Sequence, residues 1–310
     1  MALLPAVPRR AGSSADAAAR LARARRAAFE RHLARVLPQA DTVPARLHAA
    51  MRYAALGPGK RLRPMLCLAA CEAVGGDWRD ALPAAAALEC VHAFSLVHDD
   101  LPALDDDDYR RGRPTTHRRY GEAVGLLAGD ALLALAFEEL ARLAERGVPQ
   151  GRVIEAVRKL ARASGSRDLV GGQVLDLAGE RRRLGAAAVR AIHARKTGAL
   201  MAAALALGAI AGRADRARVR RLEAIGRDLG LAFQIQDDLL NRGSTLAALG
   251  KRAGTDEARG KATWPGAVGE GRARMDAGRL FARTLRAVSA LGPRARSLAA
   301  IVVEVAERGR

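Results

Sequence analysis

Apolar residues run along the chain in stretches that are broken by proline, glycine and polar clusters, and β-branched runs are scarce. Leucine, alanine and arginine dominate, and such side chains lose little rotamer freedom in a helix, so the pattern predicts helices throughout. An arginine-studded helix is expected over Ala15–Leu37, stopped by Pro38, and a second over Pro44–Leu56, ended by Gly57-Pro58-Gly59. Lys60-Arg61-Leu62-Arg63-Pro64 opens a third, with Pro64 tolerated in its first turn, and Gly75-Gly76 closes it. A fourth begins near Pro83 and is bent by Pro102. Further helices are expected over Gly121–Arg146, Gln150–Ser164, Arg167–Gly179, Ala186–Ala211 and Asp215–Leu240. A polar, glycine-containing segment from Asn241 to Ala262 interrupts them before two last helices, Pro265–Leu291 and Pro293–Arg308. The longest apolar run, Ala199–Gly212, is 14 residues. That is short of the roughly 20 a membrane span needs, so it reads as a fully buried helix and no transmembrane segment is expected. No repeat or composition break marks a linker. The expected fold is all-α, one domain over residues 1–310, a bundle of roughly ten or more helices whose first 15 residues form a flexible arm.

Composition changes this picture only at the edges. The formal charge of +19 invites a nucleic-acid reading. The basic residues are spread along the chain rather than gathered in a block, and no binding module is recognisable, so no nucleic-acid partner is expected. Of 52 basic residues only five are lysines, Lys60, Lys159, Lys196, Lys251 and Lys261, which points to positions where a compact ammonium is needed. Cys67, Cys71 and Cys90 cannot pair evenly and show no zinc spacing, which fits a reduced, cytoplasmic protein. The arginine-rich first 30 residues superficially resemble an organelle transit peptide but carry no clear cleavage signal.

Candidate chemistry concentrates between His92 and Thr116. Asp99, Asp100, Asp105, Asp106, Asp107 and Asp108 fall within ten positions, against the basic trend of the chain. Two carboxylates about 4 Å apart repel by roughly 4 kcal/mol at an effective dielectric near 20, so a converging cluster needs counter-charge. Magnesium, held by a carboxylate or two plus substrate phosphates, is the natural candidate, with Arg110, Arg111 and Arg113 beside it for a polyanion; a solvated acidic loop is the bland alternative. On the preceding helix His92 and Asp99, seven apart, share a face, with Ser95 one turn below Asp99 and Phe94 one turn below His98. Lys60, Arg61 and Arg63 put three cations at a helix N-terminus, which itself favours an anion. Gly171-Gly172-Gln173 and Asp176 place an amide and a carboxylate on one helical face, with glycines permitting close approach. Lys196-Thr197 sits in a helix of small apolar residues and needs polar partners there. Gln234, Asp237 and Asn241 line one face of another apolar helix, with Asp238 adjacent. Gly250-Lys251 and Gly260-Lys261 form a basic loop able to fold over phosphates.

With these residues in view, the chain from about Arg46 to Pro265 resembles the short-chain trans-polyprenyl diphosphate synthases, most of all bacterial farnesyl diphosphate synthases. Asp99-Asp100-Leu-Pro-Ala-Leu-Asp105 followed by Arg110-Arg111-Gly112 is similar to the first aspartate-rich motif, and Gly59–Pro64, Gly171–Asp176, Lys196-Thr197, Phe233–Asp238 and Gly250-Lys251 follow in order. The resemblance implies a deep central cavity, a homodimer, and head-to-tail condensation of isopentenyl diphosphate with dimethylallyl and geranyl diphosphate. It implies metal ligation by Asp99, Asp100, Asp105, Asp237 and Asp238, with up to three magnesium ions. It further implies that Arg110, Lys196 and Lys251 grip the allylic diphosphate, and that Lys60, Arg63, His92 and Arg111 hold isopentenyl diphosphate. Gln173, Asp176, Phe233 and Lys261 join the substrate-binding set, while oxygens of Thr197 and Gln234 and the Lys196 carbonyl stabilise the carbocation. An aromatic at Phe94, beside Ser95, implies a C15 product. The chain departs from the family at Asn241-Arg242-Gly243, where a third aspartate is usual; Asn241 brings no charge and weakens the case for the third magnesium. A geranylgeranyl or geranyl diphosphate synthase and a non-catalytic synthase subunit are the alternatives, and a basic nucleic-acid binder is the remote one.

Overall fold

The computed structural model describes residues 12–243 and 260–308. In chain order its helices are α1 (Gly12–Val36), α2 (Ala45–Ala55), α3 (Leu62–Ala73), α4 (Leu82–Asp99), α5 (Thr116–Tyr120), α6 (Glu122–Ala141), α7 (Gln150–Ser164), α8 (Leu169–Gly179), α9 (Ala186–His193), α10 (Ala199–Ala211) and α11 (Arg216–Gly243). After the gap in the description come α12 (Trp264–Val268), α13 (Glu270–Ser289) and α14 (Arg296–Glu307). The all-α expectation holds. Most of the arm expected over residues 1–15 lies outside the described residues, as does Lys251.

Two helices form the axis. Every residue of α10 is buried, and α4 is buried without a break from Leu82 to Val91. Around them pack α3, α6, α7 and α11. Burying each leucine or isoleucine of such a helix contributes about 1.5–3 kcal/mol, which explains a sequence with almost no polar position over Ala199–Ala211. Close approach requires small residues. A Cβ on Gly208 would lie 2.1 Å from the Cys67 carbonyl oxygen, so substitution there would push α10 off α3. The helices Trp78–Asp99 and Ala186–Ala211 are long and apolar enough to cross a membrane, but 72% and 78% of their apolar windows are buried inside the bundle. The apolar run of Ala199–Gly212 therefore understated the length of the helix that contains it.

Three local features depart from the expectation. The helix expected over Ala186–Ala211 is interrupted by a π-helical turn at Ala194–Gly198, which carries Lys196 and Thr197. One wider turn re-aims the side chains it carries, and this one brings Lys196 and Thr197 to the cavity wall. A two-stranded hairpin, β1 (Tyr109–Arg110) and β2 (Arg113–Pro114), follows the acidic run. Its tip, Arg111 and Gly112, has φ of 53° and 75°, the left-handed pair that matches a tight hairpin to strand twist. Finally, Gly269 at φ 83° separates α12 from α13, which were expected as one helix.

Candidate active site

A cavity of about 780 Å³ runs between α3, α4, α8, α11 and the π turn, and a polar chamber of about 220 Å³ adjoins it. Asp99, Lys196, Thr197, Gln234 and Asp237 line both. The two acidic motifs, far apart in sequence, thus face one space.

At one end of the cavity cations converge. Lys60, Arg61, Arg63, His92, Arg111 and Arg308 line it, with Glu89 the acid among them. Burial, then neighbouring Arg111, depresses the Arg63 guanidinium to about 10 against the opposing pull of Glu89. Its Nε finds no hydrogen-bond partner among the described residues. Burial and then Arg308 lower the Lys60 ammonium, and burial with Arg63, Arg111, Arg110 and Arg61 holds His92 neutral, well below the usual imidazole range. Positive groups disfavouring one another in a half-dry space are the signature of a site prepared for an anion.

Among the described residues of the chamber, six carboxylates, Asp99, Asp105, Asp107, Asp176, Asp237 and Asp238, share the wall with three cations, Arg110, Lys196 and Lys261. Lys196 Nζ donates to Asp176 Oδ2 at 2.8 Å, and Lys261 Nζ lies 3.2 Å from Asp105 Oδ1 and 3.8 Å from Asp176 Oδ2. Burial penalises the Lys196 charge, yet Asp176 and Asp99 raise its pKa. Burial raises the Asp99 pKa, with Asp105 adding and Lys196 opposing. Thr197 Oγ1 donates to Gln234 Oε1 at 2.7 Å, tying the π turn to α11. The π turn sits close because Gly172 on α8 has no side chain; a Cβ there would meet the Lys196 backbone nitrogen at 2.5 Å.

Neighbouring aspartates proved unequal. Asp100 was expected among the metal ligands, but it is 3% exposed, accepts Arg110 Nε at 2.6 Å, and lines a separate small cavity with Tyr53 and Thr115. Asp238, 3% exposed, accepts the Trp264 backbone N–H at 2.7 Å and Gln234 Nε2 at 3.1 Å and faces His193 Nε2 at 3.3 Å. Successive residues on a helix point about 100° apart, so Asp99 takes the cavity while Asp100 braces Arg110, whereas Asp237 and Asp238 both line the chamber. Arg110 lines the chamber and pairs with Asp100 and Asp107. Arg111 crosses to the cationic end, and Arg113 stacks over the Tyr53 ring at 4.1 Å, outside both spaces.

The apolar part of the cavity is walled by Phe94, Leu104, Leu169, Val170, Val174, Leu177 and Phe233. Phe94 is 6% exposed and meets the His98 ring edge-on at 5.0 Å; Ser95 Oγ donates to the His92 carbonyl and also lines the cavity. Both polar atoms of the Gln173 side chain are buried with no partner among the described residues, facing a space that Gln173 lines. The sequence reading missed His193, Glu89 and Arg308 as lining residues, whereas Asp107 of the acidic cluster lines the chamber. His193 sits three positions before Lys196, a spacing that could have flagged it. Arg308 gave no signal, because its approach to the Phe233 ring, 5.3 Å, is purely tertiary.

The profile of the polyprenyl synthetase family matches residues 44–285. The chain belongs to that family. Geranylgeranyl pyrophosphate synthase 4 of Arabidopsis thaliana is 45% identical over 229 residues, 73% of this chain and 61% of the relative. The chain therefore spans less than two thirds of that relative's length. Among solved structures, an FPP/GFPP synthase from Zymomonas mobilis superposes with a TM-score of 0.83 at 37% identity, covering 94% of this chain and 99% of that one. A geranyltransferase from Helicobacter pylori, complexed with magnesium and isoprenyl diphosphate, gives 0.82 at 29% identity over 92% and 96% of the chains. Both solved structures cover more than nine tenths of this chain, more than the residues 44–285 that the family profile matches.

Proposed function

We propose that this member of the polyprenyl synthetase family is a magnesium-dependent prenyltransferase that condenses isopentenyl diphosphate with dimethylallyl and geranyl diphosphate to make farnesyl diphosphate. The observation that carries the reading is the single space lined by Asp99 and Asp237, cationic at one end, acidic at the other and apolar between. No cluster of three His, Cys, Asp or Glu side chains among the described residues forms a ready metal cage. Magnesium fits such a site, since it takes one or two carboxylates and completes its shell with phosphate and water. Asp99, Asp105 and Asp237 would hold it, with Asn241 at the chamber wall in a weaker role. When bound, magnesium would supply positive charge to the departing pyrophosphate.

The remaining steps fall to the protein. Arg110, Lys196 and Lys261, with Lys251 outside the described residues, grip the allylic diphosphate and stabilise its charge as the carbon–oxygen bond breaks. Lys60, Arg63, His92 and Arg111 hold isopentenyl diphosphate at the other end, so its double bond lies toward the allylic carbon. The apolar walls exclude water from the carbocation, and Thr197 and Gln234 offer oxygens to it. Released pyrophosphate takes the proton. A homodimer is supported by apolar residues left exposed on α6, Leu126 and Leu127. Its free, buried thiols fit the cytoplasm.

A longer product is the second reading, favoured by the Arabidopsis relative named for geranylgeranyl pyrophosphate. Sizing the products formed from each allylic diphosphate, isopentenyl diphosphate and magnesium decides between them. A C15 product supports the first reading, C20 the second, and no product from a folded chain refutes both. Phe94→Ala opens the apolar wall, and the expected outcome is a product at least one isoprene unit longer; an unchanged profile removes Phe94 as the chain-length determinant.

A further inference from the structure

The loop carrying the cationic end is held through its backbone carbonyls. Three successive carbonyls, those of Gly57, Pro58 and Gly59, each accept an arginine from a different place: Arg61 Nη2 at 2.9 Å, Arg111 Nη1 at 2.7 Å and Arg26 Nη2 at 2.7 Å. Arg61 itself is 5% exposed, stands at the start of α3 with φ 52°, and is gripped by two acids. Its Nη1 donates to Glu89 Oε1 at 2.5 Å, and its Nε and Nη2 donate to the two Glu30 oxygens at 2.9 and 3.3 Å. Glu89 belongs to α4, whereas Glu30 belongs to α1, upstream of the residues that the family profile matches. Arg26 lies one turn before Glu30 on that same helix.

A left-handed conformation is unfavourable for a residue with a Cβ, so something must hold Arg61 there. The bidentate clasp of Glu30 and the buried pair with Glu89 supply that restraint, and the conformation sets where Lys60 and Arg63, its flanking cations, stand on the cavity wall. We propose that Glu30 and Glu89 are positioning residues for isopentenyl diphosphate: through Arg61 they fix the loop that presents Lys60 and Arg63 to its diphosphate. This rests on the assignment of the cationic end to that substrate. It makes α1 a working part of the site rather than a surface addition.

The acids' charge and their geometry predict opposite outcomes. Were Glu89 only a nearby negative charge, Glu89→Gln would strengthen binding of an anion; if it positions the loop, the same change weakens it. Isopentenyl diphosphate and inorganic pyrophosphate are titrated calorimetrically into the full chain without magnesium, and KM is measured for each substrate with it. The expected result is isopentenyl diphosphate affinity lower by about tenfold in Glu89→Gln and about threefold in Glu30→Gln, with KM for the allylic substrate within about twofold. Equal or tighter binding in both variants overturns the proposal. Should Glu89→Gln fail to fold, Arg26→Ala, at an exposed position of α1, releases only the Gly59 carbonyl; a loss of about twofold or more supports the proposal and no loss overturns it. If the unaltered chain binds neither anion, the assignment of the cationic end fails first and the proposal with it.

Discussion

The two ends of the cavity handle charge in opposite ways. At the cationic end Lys60, Arg63, Arg111 and Arg308 crowd together with Glu89, and burial leaves Arg63 and Lys60 with lowered pKa values. In the chamber Asp99, Asp105 and Asp176 are met by Lys196 and Lys261, while Asp107, Asp237 and Asp238 line the same wall. On the proposed function the first end would accept a bare diphosphate. The second carries more carboxylates than cations among the described residues, a balance that on the proposed function suits it to a divalent ion. On the same reading, one substrate group, a diphosphate, would be recognised by two unlike designs within one space, one by crowded cations and one by acids working through a metal.

Chelating the divalent ion tests the contrast most severely: turnover should vanish while isopentenyl diphosphate still binds in titration. Loss of both would show the two ends to be one metal-dependent site. Asp99→Asn should follow, lowering kcat by about three orders of magnitude with little change in KM for isopentenyl diphosphate. Arg63→Met should do the reverse, raising that KM by about tenfold to a hundredfold, the worth of one or two charge-assisted hydrogen bonds; a kcat defect instead would move Arg63 out of the binding role. The smallest effects concern two histidines, one at each end. Burial takes His193 to about 4, against the pull of Asp176, so between about 4 and 6.5 the unfolded chain binds a proton the native chain does not. Stability is complete above pH 6.5 and falls as pH drops toward 4, and His193→Gln should flatten that slope in thermal melts. His92, held neutral by burial and four arginines, should take up a proton when a diphosphate arrives near pH 6, which calorimetry in buffers of different ionisation enthalpy will detect.

Much of this was legible along the chain because helical breaks and motif residues are local properties. Gln150–Ser164 was placed to the residue, and α2, α3 and α8 to within two or three positions at each end. The polar pair Lys196-Thr197 was read as needing inward partners, and it has them in Asp176 and Gln234. The π turn that aims the pair was not legible, since a wider turn leaves no compositional mark in a run of alanines. Nor were the separate tasks of Asp100 and Asp238, because adjacency in a motif says nothing about which side of a helix faces a partner. The segment carrying Lys251 lies outside the described residues.

What the sequence determined by itself was the helical character, the acidic and basic motifs and their order, all consequences of side-chain chemistry and short-range spacing. Only the tertiary structure decided which of those charges share a space. Asp99 and Asp237 are joined through α10 and the π turn, and Glu30 reaches Arg61 across 31 positions of chain. Electrostatic interaction depends on separation in space and on burial, and both are set by how helices pack rather than by how far apart residues lie along the backbone.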